Sequence, residues 1–373
     1  MRSLKPSAWE RGQRWLAQPN NMARVPTIVL GGTGFVAGEL LRLIAGHPLL
    51  ELAGILSDGS PGEAIGAAFP HLASAYVGET FKSRAQIEAV LRRESAPAIL
   101  AAAPHGVSAA LIDSLLGVAE AAGKIPKVVD ISADFRYPSA AAYQAVYGHA
   151  HGAPARLGQF TCAVPEHLKA IGTPHVSHPG CFATATLLAV VPLLALNLVE
   201  PQLFVAAVTG STGAGRKPTD GTHHPTRHSD LYAYNALAHR HAPEVAACAL
   251  AASGVAAHIA FVPHSGPFAR GIHATVQAVL KRPLDSAQLQ ALLADYYADA
   301  PFVRVNARAA HVKEVVATNF AHLSAHSDGR TVAVMSVLDN LTKGAAGGAV
   351  QWLNRLLGIP DATGLTAPAA GWT

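Results

Sequence analysis

Cysteine is scarce in this chain. Cys162, Cys181 and Cys248 are the only three among 373 residues. Three cannot complete a disulfide framework, and a reducing cytoplasm fits that count. Charge is scarce as well: 14% of residues are Asp, Glu, Lys or Arg, with a formal net charge of +4. No dense Lys/Arg patch with interleaved aromatics occurs, so nucleic acid is not an expected partner. No uninterrupted run of about eighteen apolar residues occurs, so no membrane span is expected. C-x-x-C and H-E-x-x-H spacings are both missing, which removes the usual metal signatures. What is abundant is apolar surface: the chain is 50% hydrophobic, enough to build a sizeable core in two domains or one large one. Histidine is abundant too, at 19 residues, which makes the real charge sensitive to mild acid.

The two ends differ from the middle. Residues 1–24 hold Arg2, Lys5, Arg11, Arg14 and Arg24 against Glu10. They lack the apolar core of a secretory signal and read as a disordered extension. A transit peptide is an alternative, as is a natural start at Met22. The tail 360–373, rich in Pro, Ala, Gly and Thr, reads as flexible.

From Val25 short apolar strands alternate with helical segments. Strands are expected at 27–30, 50–56, 98–103 and 127–131. Helices are expected after Gly34 to about Ala45, at 84–93 and at 107–122. That alternation implies a parallel, doubly wound α/β sheet. After about Thr161 the texture changes. Strands at 203–209, 256–262, 271–280 and 331–338, with helices at 182–196, 244–252 and 286–297, imply an α+β domain with a mostly antiparallel sheet. Pro192 is expected to kink its helix.

The first strand runs into Gly31-Gly32-Thr33-Gly34-Phe35-Val36-Ala37. Gly31, Gly34 and the small Ala37 fit a dinucleotide fingerprint, whose small residues let the backbone reach a pyrophosphate seated on a helix N-terminus. Its position after a strand and before a helix favours that reading over an ordinary turn. The second strand ends in Ser57-Asp58-Gly59-Ser60, where the adenosine ribose is met. An acid there favours an unphosphorylated ribose, and an arginine a 2′-phosphate.

His178-Pro179-Gly180-Cys181-Phe182-Ala183-Thr184 carries the strongest chemical signal. It places Cys181 after a Pro-Gly turn, at the head of an apolar run to Leu196. A cysteine at a helix N-terminus faces unpaired N–H groups and the positive end of the helix dipole, which favour the nucleophilic thiolate. The alternative is a small buried apolar residue. Histidines cluster at 223, 224 and 228 and again at 239 and 241, the latter followed by Glu244. The first group reads as a solvated polar loop, and a metal site is a competing reading. For His239 and His241 an acid/base role competes, because a thiolate nucleophile needs a proton carrier and imidazole serves near neutral pH. Glu244 would then orient or charge the imidazole.

Together these segments resemble the N-acetyl-γ-glutamyl-phosphate reductases of arginine biosynthesis, from about Thr27 to Gly358. The resemblance rests on the glycine turn with Glu39-Leu40, Pro104-His105-Gly106-Val107-Ser108, Asp130 to Arg136 and Pro165-Glu166. It continues through the cysteine motif, Gly213 to Lys217, Tyr234 with His239-Arg240-His241 and Glu244, Pro263-His264 with Arg270-Gly271, and Asp339 to Gly347. It implies NADPH-dependent reduction of an acyl phosphate to an aldehyde with release of phosphate. Cys181 is then the thioester-forming nucleophile and His241 the acid/base, with Glu244 a third catalytic residue. A Rossmann-like domain, 25–178 completed by 339–359, would hold the cofactor through Gly31, Thr33, Gly34, Phe35, Val36, Ser57, Pro104, His105 and Asn340. A substrate and dimerisation domain, 179–338, would hold the acyl chain through Arg136, Ser211, His239 and Arg270. A cytoplasmic homodimer or homotetramer acting on a small molecule, with no metal, is the implied assembly.

The chain departs from the family where Asp58 follows Ser57, since the family there often has arginine and prefers NADP. NADP stays the expected cofactor, with NAD not excluded and Arg42 or Lys82 as other sources of positive charge. A reductase of carrier-protein-bound acyl phosphates in lysine or arginine biosynthesis, aspartate-semialdehyde dehydrogenase, and a non-catalytic dinucleotide sensor are the alternatives. The joint presence of Cys181 and His241 argues against a sensor.

Overall fold

The computed structural model describes residues 23–371; the expected N-terminal extension lies almost wholly outside them. β1 (Val25–Leu30), β2 (Leu50–Leu56), β3 (Ala98–Ala101), β4 (Lys127–Asp130), β5 (Phe160–Cys162) and β6 (His175–Ser177) form a parallel sheet in the order β2-β1-β3-β4-β6-β5. Ile28, Val29 and Leu30 are fully buried because helices cover both faces, which is why β1 is a continuous apolar run rather than an alternating one. One face carries the Phe35–Gly46 helix through Leu40, Leu41 and Ile44. The other carries the Arg84–Arg93 and Ser108–Ala121 helices through Ile87, Leu91, Ile112 and Leu116. The Arg84–Arg93 helix begins at a capping box, Ser83 with Gln86, which satisfies two backbone donors reciprocally.

The second sheet comprises β7 (Val199–Thr209), β8 (Tyr232–Ala233), β9 (His258–Ser265), β10 (Ile272–Leu280), β11 (Val303–Val305), β12 (Ala321–Ser327) and β13 (Thr331–Leu338), in the order β11-β12-β13-β10-β7-β9-β8. Its pairs are antiparallel except β7–β9 and β11–β12. The Cys181–Ala195 helix lies against it, with Phe182 to Leu194 all buried. A helix apolar on every side is a core helix, and here the sheet and the His241–Ser253 helix enclose it. The helix runs past Pro192 to Ala195. The Leu188 carbonyl, four residues earlier, has lost its helical donor and instead accepts from Tyr297 Oη at 2.7 Å.

The chain's end returns to the first sheet. A π-turn at Thr342–Ala346 leads into the Gly347–Leu356 helix, whose residues 347–354 are buried. Trp352 Nε1 donates to the Ala163 carbonyl at 2.9 Å. Lys343 and Glu166 form a fully buried ion pair at 2.6 Å, with Gln351 bonded to both. Lys343 lowers the Glu166 carboxyl, against its burial, to a pKa of about 2. The tail does not begin at Pro360 as its composition suggests. Ala362 and Leu365 are 2% and 3% exposed and join the core of the first sheet. Asn354 Nδ2 donates to the Asp361 and Thr363 carbonyls, and Arg355 pairs with Asp361. Composition misreads this stretch because backbone bonds to the buried Asn354, together with Ala362 and Leu365 in the core, hold it down.

Close packing at the return makes a prediction. A methyl on Gly348 would meet the His178 ring, and the Lys343 carbonyl oxygen at 2.7 Å. Gly348→Ala is expected to cost about 1–3 kcal/mol, whereas Gly46→Ala, with nothing within 4 Å, is expected to be neutral or slightly stabilising. Urea unfolding of both variants checks this, and equal midpoints would contradict it.

Candidate active site

The backbone builds the nucleophile's position first. Gly180 is the N-cap of the Cys181–Ala195 helix and has no side chain to occupy the first-turn N–H groups. A Cβ on Gly180 would collide with His241 Nε2 and lie 2.8 Å from Arg136 Nη1. Only glycine therefore lets this turn approach the imidazole. From the other side the π-turn presses in: a Cβ on Gly344 would lie 2.8 Å from that of Cys181. Cys181 is thus held between a helix start and the returning C-terminal segment.

Cys181 and His241 line one cavity of about 550 Å³, with His239, Tyr234 and Ser211 also on its wall. His241 begins the His241–Ser253 helix, and its backbone N–H donates to His239 Nδ1 at 3.2 Å. The two rings are 4.7 Å apart, and each meets Phe182 edge-on at about 6 Å. His241 Nδ1 is buried without a hydrogen-bond partner among the described residues.

Electrostatics revise the expected thiolate. Burial pushes the Cys181 thiol up, opposed by the Phe182 N–H and the Arg136 charge. Burial also pushes His241 well down, reinforced by His239, Arg136, Arg240 and His105. Burial thus favours a neutral thiol and a neutral imidazole in the same cavity, desolvation opposing the helix start. His241 is then a free base ready to take a proton.

Several residues assigned by resemblance sit elsewhere. The Glu244 carboxylate is bonded elsewhere than to His241: it accepts the Gly180 N–H at 2.6 Å and pairs with Arg136 at 3.1 Å. Arg136 is buried, bonded to the Ile131 and His178 carbonyls as well as Glu244, so it braces the cysteine turn and is not open to a substrate. Arg270 is spent on Asp339, Glu39 and Thr342 and lies outside the Cys181 cavity. Asn340 uses both ends of its amide, accepting from the Gly271 N–H at 2.7 Å and donating to Thr212 Oγ1 at 3.0 Å, so it braces the loop after β7. Arg42 is bound to Glu39 and the Ala317 carbonyl, and Lys82 lays its stem over Gly54. The contribution of Gly344 was not read from the sequence; its place in the glycine-rich Asp339–Gly347 stretch was the available signal.

The glycine turn suits a dinucleotide. Gly31 has φ +134°, and a Cβ there would lie 2.5 Å from the Ala102 carbonyl oxygen. Gly34 caps the Phe35–Gly46 helix with no side-chain bond, leaving the N–H groups at Phe35 and Val36 for an anion. Ser57 is buried beside Gly32, and Asp58 is exposed. Across the cleft, His105 Nδ1 accepts the Ala133 N–H at 2.9 Å. Asp134 fixes the same loop through the Gly106 and Ala109 N–H groups. Among the described residues no group of three or more His, Cys, Asp or Glu side chains is arranged to hold a metal, and no helix is long and apolar enough to cross a membrane.

Comparison with known proteins agrees with this layout. A family model described as semialdehyde dehydrogenase, NAD binding domain, matches residues 27–160. One described as semialdehyde dehydrogenase, dimerisation domain, matches residues 181–340. The N-acetyl-gamma-glutamyl-phosphate reductase of Pseudomonas putida is 39% identical over 345 residues, 91% of this chain and 97% of that protein. That of Brevibacillus brevis is 35% identical over 344 residues, 90% of this chain and 96% of that protein. Among solved structures, aspartate semialdehyde dehydrogenase II from Vibrio cholerae superposes with a TM-score of 0.66 at 15% identity, covering 90% of this chain and 98% of that one. A probable aspartate-semialdehyde dehydrogenase from Pseudomonas aeruginosa gives 0.60 at 17% identity, with the same coverage. These structural likenesses establish the two-domain fold. The extent and level of sequence identity place the chain in the N-acetyl-gamma-glutamyl-phosphate reductase family.

Proposed function

We propose that this protein reduces N-acetyl-γ-glutamyl phosphate to N-acetylglutamate semialdehyde through a thioester on Cys181. The observation that carries the mechanism is the placement of Cys181, at an uncapped helix start, in the same cavity as the neutral His241. Cys181 Sγ bonds to the acyl carbon, its proton passes to His241, and the carbon–oxygen bond to phosphate breaks, the departing phosphate taking a proton from solvent. N–H groups at the helix start face the oxygen on which negative charge develops. Glu244 and Arg136 act through the backbone they hold rather than on the substrate. A bound nicotinamide dinucleotide, held by the Gly31–Val36 turn, Ser57 and the 104–106 loop, supplies the reducing equivalent. When the aldehyde departs, the Cys181 thiolate recovers a proton from His241. Free Cys162, Cys181 and Cys248 accord with a reducing cytoplasm.

NADP is the proposed cofactor, with modest discrimination against NAD. Exposed Asp58 is screened by solvent, and Ser57 and the adjoining backbone offer hydrogen bonds to a 2′-phosphate. A homodimer is proposed through the outer face of the second sheet, where Phe204 on β7 and Val279 on β10 are 50% and 43% exposed. The matched dimerisation domain spans both positions, and a partner subunit would cover them.

Expectations follow for the catalytic pair, the cofactor and the assembly. Cys181→Ser is expected to abolish turnover while leaving cofactor affinity nearly intact, and His241→Asn to cut kcat about a hundredfold or more, with His223→Asn near wild type. Because burial raises the thiol, alkylation of Cys181 by iodoacetamide in the free enzyme is expected to keep rising with pH beyond 9. An active serine variant, or a plateau reached in mild acid, would refute the thiol–imidazole pair. For the cofactor, kcat/KM is expected to favour NADPH over NADH and Asp58→Arg to widen the ratio; a clear NADH preference reverses the assignment. For the assembly, Phe204→Glu is expected to slow sedimentation toward the monomer value, and an unchanged sedimentation coefficient would place the interface elsewhere.

A further inference from the structure

Three arginines converge beside the glycine turn, around a cavity of about 540 Å³ along the Phe35–Gly46 helix. Two of them are charge-matched. Arg42 lies 2.9 Å from Glu39, and Arg270 is held by Asp339 at 2.9 Å and Glu39 at 2.6 Å. Arg216 differs. Its Nη1 donates to the Thr33 carbonyl at 2.9 Å and its Nη2 to the Ala68 carbonyl at 3.0 Å. Its guanidinium lies 5.4 Å from the centre of the Phe69 ring. Among the described residues no carboxylate pairs with it. Carbonyl oxygens satisfy its hydrogens but leave a full positive charge at the turn.

That charge stands where the turn itself has none. The first turn of the Phe35–Gly46 helix is Phe35, Val36 and Ala37, and the end of β2 offers Asp58 rather than a base. Arg216 reaches in from the catalytic domain, on the loop that follows β7. This loop is fastened by the Ser211 and Thr212 N–H groups to the Phe268 and Ala269 carbonyls, and by Asn340 to Thr212. An exposed guanidinium bound only by neutral carbonyls can exchange them for phosphate oxygens, which give a charge-assisted and bidentate contact.

We propose that Arg216 is a phosphate clamp for the dinucleotide, leaving the Thr33 and Ala68 carbonyls to bind a cofactor phosphate from the opposite domain. This rests on the reading of the glycine turn as a nicotinamide dinucleotide site. Its consequence is coupling between the two sites, because the same loop carries Ser211 on the wall of the Cys181 cavity. Cofactor binding thereby orders the wall against which the acyl phosphate is placed.

The test is equilibrium binding of NADPH and of NADH, by calorimetry, to wild type, Arg216→Gln and Arg216→Lys, at low and high salt, with melting temperatures in parallel. Arg216→Gln is expected to weaken NADPH at least about tenfold at low salt, less at high salt, with Arg216→Lys between the two. A loss confined to NADPH places the clamp on the 2′-phosphate, and an equal loss for NADH places it on the pyrophosphate; either supports the proposal. Affinities within twofold of wild type overturn it. So do equal losses in both variants accompanied by a lower melting temperature, which would make Arg216 a structural brace. If wild type binds neither dinucleotide, the reading of the glycine turn fails and the clamp fails with it.

Discussion

The Glu244 carboxylate is the junction on which the active site depends. One oxygen takes the Gly180 N–H and the other meets Arg136. In one contact it joins the nucleophile's turn, the helix that begins with His241, and the loop after β4 of the dinucleotide domain. An ion pair this deep repays its desolvation only when its remaining donors and acceptors are filled. Here they are filled by the carbonyls of Ile131 and His178 and by the Gly180 amide. The pair fixes where three segments meet, and its geometry in turn decides how closely Cys181 and His241 approach the same space.

Burial then sets the chemistry. The desolvation that raises the thiol also lowers the imidazole, so burial favours the uncharged form of each. Such a site differs from one that stores a thiolate–imidazolium pair. It generates the nucleophile as the proton moves, and it keeps the resting cysteine less reactive toward adventitious electrophiles. Tyr234, raised to about 12 by burial and the nearby cysteine, keeps its proton on the same wall and remains a hydrogen-bond donor.

What the sequence made legible was local. The strand–glycine–helix order, the Pro-Gly turn before Cys181 and the apolar run behind it are statements about neighbours in the chain, and the structure has them where the pattern put them. The α/β and mostly antiparallel sheets followed from the same periodicities. Roles of charged residues were less legible. Arg136, Arg270 and Glu244 look like substrate and catalytic groups because they are charged and lie in motifs, yet each is consumed by a partner between 69 and 231 residues away. Partner choice over such separations leaves no periodic mark. The burial that opposes the helix start at Cys181 was not legible for a related reason: the helix terminus is visible in sequence, whereas Gly344 packs on the cysteine from the far end of the chain. The short strands β5 and β6 were missed because three residues hold no period.

The return of the C-terminal segment has a consequence for biosynthesis. Domains generally fold as units while the chain is being made, N-terminal first. This dinucleotide domain cannot finish in that order, because Trp352, Ala362 and Leu365 belong to the core beneath its sheet and Gly344 closes on the cysteine. The ribosome must deliver nearly the whole polypeptide before the first domain has its full interior. Until then the early sheet exposes apolar surface, and a message truncated near its end yields a protein defective at its beginning.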